Sequence, residues 1–303
     1  MELWILLTFF AAFFQNLRSA LQKHLAIDMG ATASAYTRFV YALPFAVIYA
    51  AVMFSTQDVA LPALNWSFAI YVLTGGTAQI LATTLLVKSF QQENFAQGTA
   101  FSKTEVLQTA LAGFIILDES LTLALIIGIL TSLAGVLGLI GYKNIYRTLS
   151  ANSGGSFINA STWLGLAAGA AFAIAAVAYR GASLALPEYL PTMLRAAATL
   201  ASVLLFQTLI MGSYLFFSDL PRLSSVFSQW KSGLAVGVSG MLASVGWFSA
   251  LAMQGAAHVR ALGQFELVFA VLTSILIFKE RIRPSEILGI ILLSAGILVI
   301  ILE

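Results

Sequence analysis

Two carboxylates stand in stretches of sequence otherwise suited to the interior of a bilayer. Glu105 lies in FSKTEVLQTALAGFIILDE (101–119) and Glu266 in ALGQFELVFAVLTSILIF (261–278). Lys103 and Gln264 each stand two residues before them. A charge at the centre of a membrane helix costs about 2.5–3.5 kcal/mol on insertion scales. Residues kept there at that cost usually face the bundle interior and mark a path for substrate or ions. A carboxylate so placed can hold a substrate ammonium, and a lysine can hold a substrate carboxylate. In a low-dielectric cavity a carboxyl group can also exchange protons near neutral pH. The plainer alternative is a fixed ion pair or hydrogen bond, with Lys103 and His258 as candidate partners and Lys103 close enough in sequence to neutralise Glu105. Lys103 stands about 200° from Glu105 around a helix, so the two do not form a simple intrahelical salt bridge. Ser102, Glu105 and Thr109 do share a face.

Other polar residues are thinly spread through apolar segments. Gln15, Ser19 and Gln22, with Arg18 beside them, make a polar stripe in the second half of WILLTFFAAFFQNLRSALQKH. The stripe is read as cavity lining, or else as an interfacial helix end with Lys23 and His24 at the headgroups. Its counterpart AAFAIAAVAYRGA (170–182) is almost purely small and apolar, which makes the expected cavity chemically lopsided. Gln79 and Thr83 share a face, and Ser244 and Trp247 stand together in a later segment. Trp247 either stacks on a solute or packs the bundle, and packing is favoured. Arg38 and Arg195 begin their segments and are expected to snorkel to headgroups. Glu119, in DESL (118–121), is expected to cap the helix that follows.

These residues need helices that cross a membrane to position them. Of 303 residues 60% are hydrophobic and 9% charged, against about 25% charged in soluble domains. The chain is therefore an integral membrane protein. A net charge of +2 gives no case for nucleic acid. With no cysteine and only His24 and His258, there is no disulfide framework, thiolate chemistry or metal-ligand spacing. No phosphate-cradling GxxxxGK[ST] loop and no cofactor motif occurs. The first apolar segment lacks a basic leader and is expected to be retained as a span.

A bilayer core of about 30 Å takes about 20 helical residues. Ten such segments are read: 3–24, 33–54, 66–87, 96–117, 122–142, 163–184, 189–215, 231–253, 258–278 and 285–302. DVALPALN, RTLSANSGGSFINAST and SDLPRLSSVFSQ are the longest connections. Pro44 falls inside the second span and is expected to kink it. Residues 100–140 align with 261–301 without a gap, pairing Glu105 with Glu266, Glu119 with Glu280, Gly128 with Gly289 and Gly135 with Gly296. Lys23 and Arg38 pair with Arg180 and Arg195 in the same manner. The expected fold is all-α, with ten transmembrane helices in two inverted five-helix repeats. The repeats are 1–142 and 163–303, joined by a connecting loop over 143–162. An odd number of spans per repeat makes the second cross in the opposite sense, a plan found in secondary transporters with a midplane site. The glycine pairs let helices approach closely, within the monomer rather than in a dimer.

The repeated block resembles the ten-helix EamA-type branch of the drug/metabolite transporter superfamily. The resemblance rests on Arg38 and Arg195, on the acidic turns DES (118–120) and KER (279–281), and on the glycine pairs Gly128/Gly135 and Gly289/Gly296. It implies export or exchange of small metabolites across a bacterial inner membrane. Members often carry a proline after the residues matching Glu105 and Glu266. Here Val106 and Leu267 stand there, so the fourth and ninth helices are expected to be straighter.

Orientation stays open. The loops on the side of the termini carry Arg180, Arg195 and Arg260, and the opposite loops carry ten Lys or Arg. The positive-inside rule then places the termini outside the cytoplasm, whereas the resemblance implies inside. The functional expectation is a transporter of small polar or zwitterionic metabolites, amino acids first, working as a monomer by alternating access, with proton coupling as an added hypothesis. The expected substrate or coupling residues are Glu266, Glu105, Lys103, Arg18, Gln15, Gln22, Gln79, Trp247, Gln264 and His258. The alternative is proton-coupled efflux of organic cations or drug-like amines. A membrane-embedded enzyme lacks paired catalytic groups, and a passive channel would show no saturation.

Overall fold

The computed structural model describes residues 2–63, 65–90, 101–140, 160–278 and 284–303. Residues 279–281 of the second acidic turn, including Glu280, lie outside this set, as do most of the 143–162 connection and the side chains of Lys23 and His24. The described residues form helices and their connections, with no strand among them. Six are long and apolar enough to cross a membrane: Leu3–Gln22, Thr32–Thr56, Trp66–Leu86, Thr162–Ala185, Thr192–Ser218 and Trp230–Met253. Large apolar side chains point outward, among them Ile48, Ile115, Phe217 and Leu298, while alanines dominate the buried positions. Lipid tails are as apolar as leucine, so the interior is selected for close approach rather than for hydrophobicity. The chain is an all-α, multi-pass integral membrane protein.

It divides into two compact units, each drawing on both halves of the sequence. Unit 1 comprises Met1–Ile80 and Ala178–Gln254, and unit 2 comprises Leu81–Val177 and Gly255–Glu303.

In unit 1, helix α1 (Leu3–Met29) is followed by α2 (Ala31–Val40) and α3 (Leu43–Thr56). Gly30 turns the chain between α1 and α2 at φ +81°, a conformation glycine adopts at little cost. The second expected span is thus two helices. Pro44 has no N–H to offer the Val40 carbonyl, and α2 ends at Val40. Helix α4 (Trp66–Phe90) begins in this unit, and α7 (Ala160–Ala185) ends in it. Then come α8 (Thr192–Ser218), α9 (Leu220–Ser228) and α10 (Trp230–Met253). The segment of α9 was expected to be a loop. It carries helix-start signals instead: Asp219 accepts the Arg222 N–H at 3.2 Å, and a proline stands in the first turn. Helix α10 packs against α1, α2, α3 and α8. Gly246 brings α10 against the α1 backbone at Leu7, and Gly237 brings it against Tyr41.

Unit 2 contains α5 (Glu105–Leu117), α6 (Leu123–Ile140), α11 (Ala256–Gly263), α12 (Glu266–Phe278), α13 (Pro284–Ile301) and the N-terminal part of α7. Helices α6 and α13 cross through the predicted glycines. A Cβ on Gly135 would collide with the backbone of Leu293, and one on Gly296 with Ser132. The glycine faces therefore serve contact between helices of one chain.

The fourth and ninth segments are not straight. Lys103 and Thr104 form a turn before α5, and Gln264 and Phe265 interrupt α11 and α12. At the first break Thr104 N–H reaches Phe101 O (3.2 Å), and its hydroxyl takes the same carbonyl at 2.6 Å. At the second, Gln264, Phe265, Leu267 and Val268 all donate three residues back. The cause is local and needs no proline. A threonine hydroxyl competes for a backbone carbonyl at one break, and Gly263 weakens the helix at the other.

Candidate functional site

The breaks change where the two carboxylates sit. Glu105 and Glu266 are not at helix centres but are the first residues of α5 and α12. The helix dipole favours an anion there by about 0.3–1 kcal/mol. Lys103 donates to Glu266 at 2.6 Å rather than pairing with Glu105. Glu105 is held by Arg260 at 2.8 Å and by the Gln264 amide at 3.2 Å. The contacts exchange under the sequence repeat. Lys103 and Gln264 are repeat mates, and each reaches the glutamate of the other half. An apolar cluster of Val106, Ala110, Leu125, Ile129, Ala257, Ala261 and Ile300 packs α5, α6, α11 and α13 together around it. On another side α7 comes close at Gly169, where a Cβ would stand 3.0 Å from the Ser102 carbonyl and 3.3 Å from the Glu105 nitrogen.

All four charged side chains of this network are largely buried, from 6% exposed at Glu105 to 19% at Glu266. Removing one partner of such a pair typically costs about 3–5 kcal/mol, because it strands a charge away from water. The pair as a whole adds little net stability, since desolvation offsets attraction. Such pairs hold geometry and can be exchanged for an external partner of the same charge.

Arg260 escaped the sequence reading, which counted it as a loop cation. It is a residue of α11, inside the apolar run AAHVRALGQFELVFAVL, where any charge is notable. Arg180 and Arg195 likewise belong to helices α7 and α8, so they do not count as loop charges either. Arg180 donates to the carbonyls of Leu251 (2.9 Å) and Gln254 (2.7 Å), closing the C-terminal end of α10. Glu119 does not cap the helix after it. Asp118 is left-handed at φ +54° and turns the chain, so the Glu119 carboxylate accepts the Ala256 N–H at 3.1 Å, at the start of α11. Thr122 caps α6 instead, accepting from Leu125 N–H at 3.1 Å. His258 faces the Glu303 carboxylate at 3.7 Å.

Unit 1 holds a different kind of polar interior. Gln79 on α4 accepts from the Tyr179 hydroxyl (2.6 Å) and from the Gln207 amide (2.8 Å). Gln207 is 1% exposed. Tyr179 stacks on Phe248 at 4.6 Å between centroids. The segment 170–182 is thus less inert than expected, because Tyr179 and Arg180 both carry polar contacts. Gln207 was missed as well, although a lone amide in the apolar helix α8 is the same kind of signal. Trp247 donates its indole N–H to Gln15 at 2.8 Å, so these two predicted residues meet. Gln22 and Ser34 exchange side-chain and backbone bonds at 2.9 and 3.1 Å, tying α1 to α2. Ser19 is exposed and turns its hydroxyl back to Gln15 O. The polar stripe of α1 therefore splits between two neighbouring helices.

The Arg38 guanidinium lies 4.5 Å from the ring of Phe39, itself 2% exposed. Arg18 reaches the same region. A Cβ at Gly240 would stand 3.2 Å from Arg18 Cδ and 3.9 Å from the Arg38 carbonyl.

Long apolar helices with buried polar groups at helix breaks define a polytopic membrane protein. The comparisons specify the class: a model of the EamA-like transporter family matches residues 2–141 and 160–302, and the chain belongs to that family. Its members are transporters rather than enzymes. A solved crystal structure matches with a TM-score of 0.72 at 16% identity, over 99% of this chain and 96% of the other, a likeness that speaks to the fold alone. Comparison with curated proteins gave no match.

Proposed function

We propose that this protein is a secondary transporter that exports or exchanges small polar or zwitterionic metabolites, amino acids first, across a bacterial inner membrane. In this reading ten spans form two inverted five-helix repeats, 1–142 and 163–303, joined by 143–162. Transport proceeds by alternating access. The observation that carries the reading is the crossed ion-pair network, Lys103–Glu266 and Arg260–Glu105, set at two helix breaks. Interrupted helices with polar termini are where transporters of this architecture place solute and ion sites. A zwitterion offers one anion and one cation. It can replace an internal partner on each side of the network without changing its net charge. Organic-cation efflux fits less well, because both carboxylates already have cationic partners at 2.6 and 2.8 Å.

Counterflow into proteoliposomes tests this. Vesicles preloaded with amino acids should take up labelled amino acid saturably, and Glu266→Gln should abolish the uptake by stranding Lys103. Uptake of quaternary amines alone would replace this reading with the efflux alternative. Flux without saturation or counterflow would indicate a channel. A Glu266→Gln variant that transports with its full pH dependence would rule out proton coupling through Glu266.

A further inference from the structure

We propose that the side-chain carbonyl of Gln264 accepts an N–H from the ammonium group of the transported solute, while Lys103, its repeat mate, holds the solute carboxylate. This rests on the transporter reading above and narrows it, since the solute ammonium must keep at least one N–H.

Gln264 is 3% exposed and donates its amide to the Glu105 carboxylate at 3.2 Å. A carboxylate only accepts, so that bond fixes which way the amide points, and the carbonyl faces elsewhere. Its Oε1 is buried and has no hydrogen-bond donor among the described residues. A buried acceptor left without a donor is costly, and such groups in native proteins call for a reason. A solute N–H supplies the missing donor.

The placement agrees. Lys103 and Glu105 stand two residues apart at the first break, and Gln264 and Glu266 two residues apart at the second. The bonds Lys103–Glu266 and Gln264–Glu105 run between the breaks, so the four side chains close into one ring of contacts within unit 2. Of the two ion pairs, Lys103–Glu266 is the one to open. Glu105 has two donors, Arg260 and Gln264, and is 6% exposed, whereas Glu266 is 19% exposed. Lysine is a point charge on a flexible stem and changes partners without losing a bidentate fit. A zwitterion entering that pair sets its carboxylate on Lys103 and its ammonium on Glu266 and the Gln264 carbonyl. The repeat mates thus differ in the way that matters: one is a cationic donor, the other a neutral acceptor, and the difference fixes which way round the solute lies.

The intact protein in a neutral detergent is unfolded thermally against the common amino acids. It is then unfolded against the N-methyl, N,N-dimethyl and N,N,N-trimethyl forms of the best of them. Each methyl adds the same bulk, but only the third removes the last N–H. Affinity should fall most at that step, by about ten-fold or more, because the buried acceptor again lacks a donor. The methyl ester, which removes the charge that Lys103 meets, should also bind weakly. In Gln264→Met the step at the third methyl should disappear, and Glu105 keeps Arg260 as its partner in that variant. Gln264→Leu gives the same readout should Gln264→Met fail to fold, and the series on the native protein is decisive without either. A loss spread evenly over the three methyls, or no stabilisation by any primary amino acid, overturns the proposal. A step that survives in a Gln264 variant also overturns it and leaves the carbonyl a purely structural group. A lipid headgroup with a primary ammonium shares this chemistry, so nanodiscs of phosphatidylethanolamine and of phosphatidylcholine are compared. Stabilisation by phosphatidylethanolamine in place of the amino acids overturns the proposal in favour of a lipid site. Amino-acid binding that shows the step but no counterflow would uphold the subsite and remove the transport reading. Saturable counterflow of primary and trimethyl forms alike would do the reverse.

Discussion

Unit 2 buries Lys103, Glu266, Arg260 and Glu105 in ion pairs, whereas unit 1 joins neutral hydrogen-bonding groups in its interior. In unit 2 Glu266 has a cation at 2.6 Å and Glu105 one at 2.8 Å. In unit 1 the inner contacts join Gln79, Tyr179 and Gln207, and separately Gln15 and Trp247. A paired network is electrically complete and can only exchange partners, while neutral groups hold helices together without a buried charge to strand. The two designs should also fail differently when cut.

The largest effect is expected at Glu105. Glu105→Ala strands Arg260 in a setting where the pair is 17% and 6% exposed. That should cost about 3–5 kcal/mol and lower the unfolding temperature sharply. Adding Arg260→Met should recover most of the loss, because an apolar pair replaces the ionic one without a lone charge. A double-mutant cycle by thermal unfolding measures this. If Glu105→Ala alone is nearly silent, the pair is solvated and the contrast between the units collapses.

The pairing was partly legible in the sequence. The repeat flagged Glu105 and Glu266, and their placement two residues after Lys103 and Gln264 supplied the donors. What could not be read was which donor meets which acid. That depends on helix breaks caused by the Thr104 hydroxyl and by Gly263, and a search for proline passes over both. Pro44 was read correctly for the same reason, since a missing N–H is visible in one letter. Apolar runs located most helices to within a few residues. The short helix α9 was taken for a loop although Asp219 and Pro221 announced it. Arg260 and Gln207 were overlooked because a single polar residue hardly changes the hydropathy of its segment. Glu119 was assigned to the helix nearest in sequence, and a carboxylate on a left-handed turn caps whichever N-terminus it meets in space.

A smaller effect is expected in unit 1. Gln207→Leu removes the amide that reaches Gln79, the Tyr179 hydroxyl (3.2 Å) and the Gly76 carbonyl (3.4 Å). Partly satisfied buried acceptors cost about 1–3 kcal/mol. The Tyr179 hydroxyl still donates to Gln79, so the loss should fall below that of Glu105→Ala. A loss as large would mean that neutral and charged networks are equally critical, contrary to the comparison.

The smallest effect sharpens the division within unit 1 itself. Trp247→Phe keeps a ring in a position that is 8% exposed and deletes only the indole donor to Gln15. The expected cost is about 1 kcal/mol, the ordinary net worth of one hydrogen bond. Gln15→Leu combined with Trp247→Phe should cost less than the sum of the two, because a second cut through the same bond removes nothing further. Strict additivity would show that the bond contributes nothing to stability.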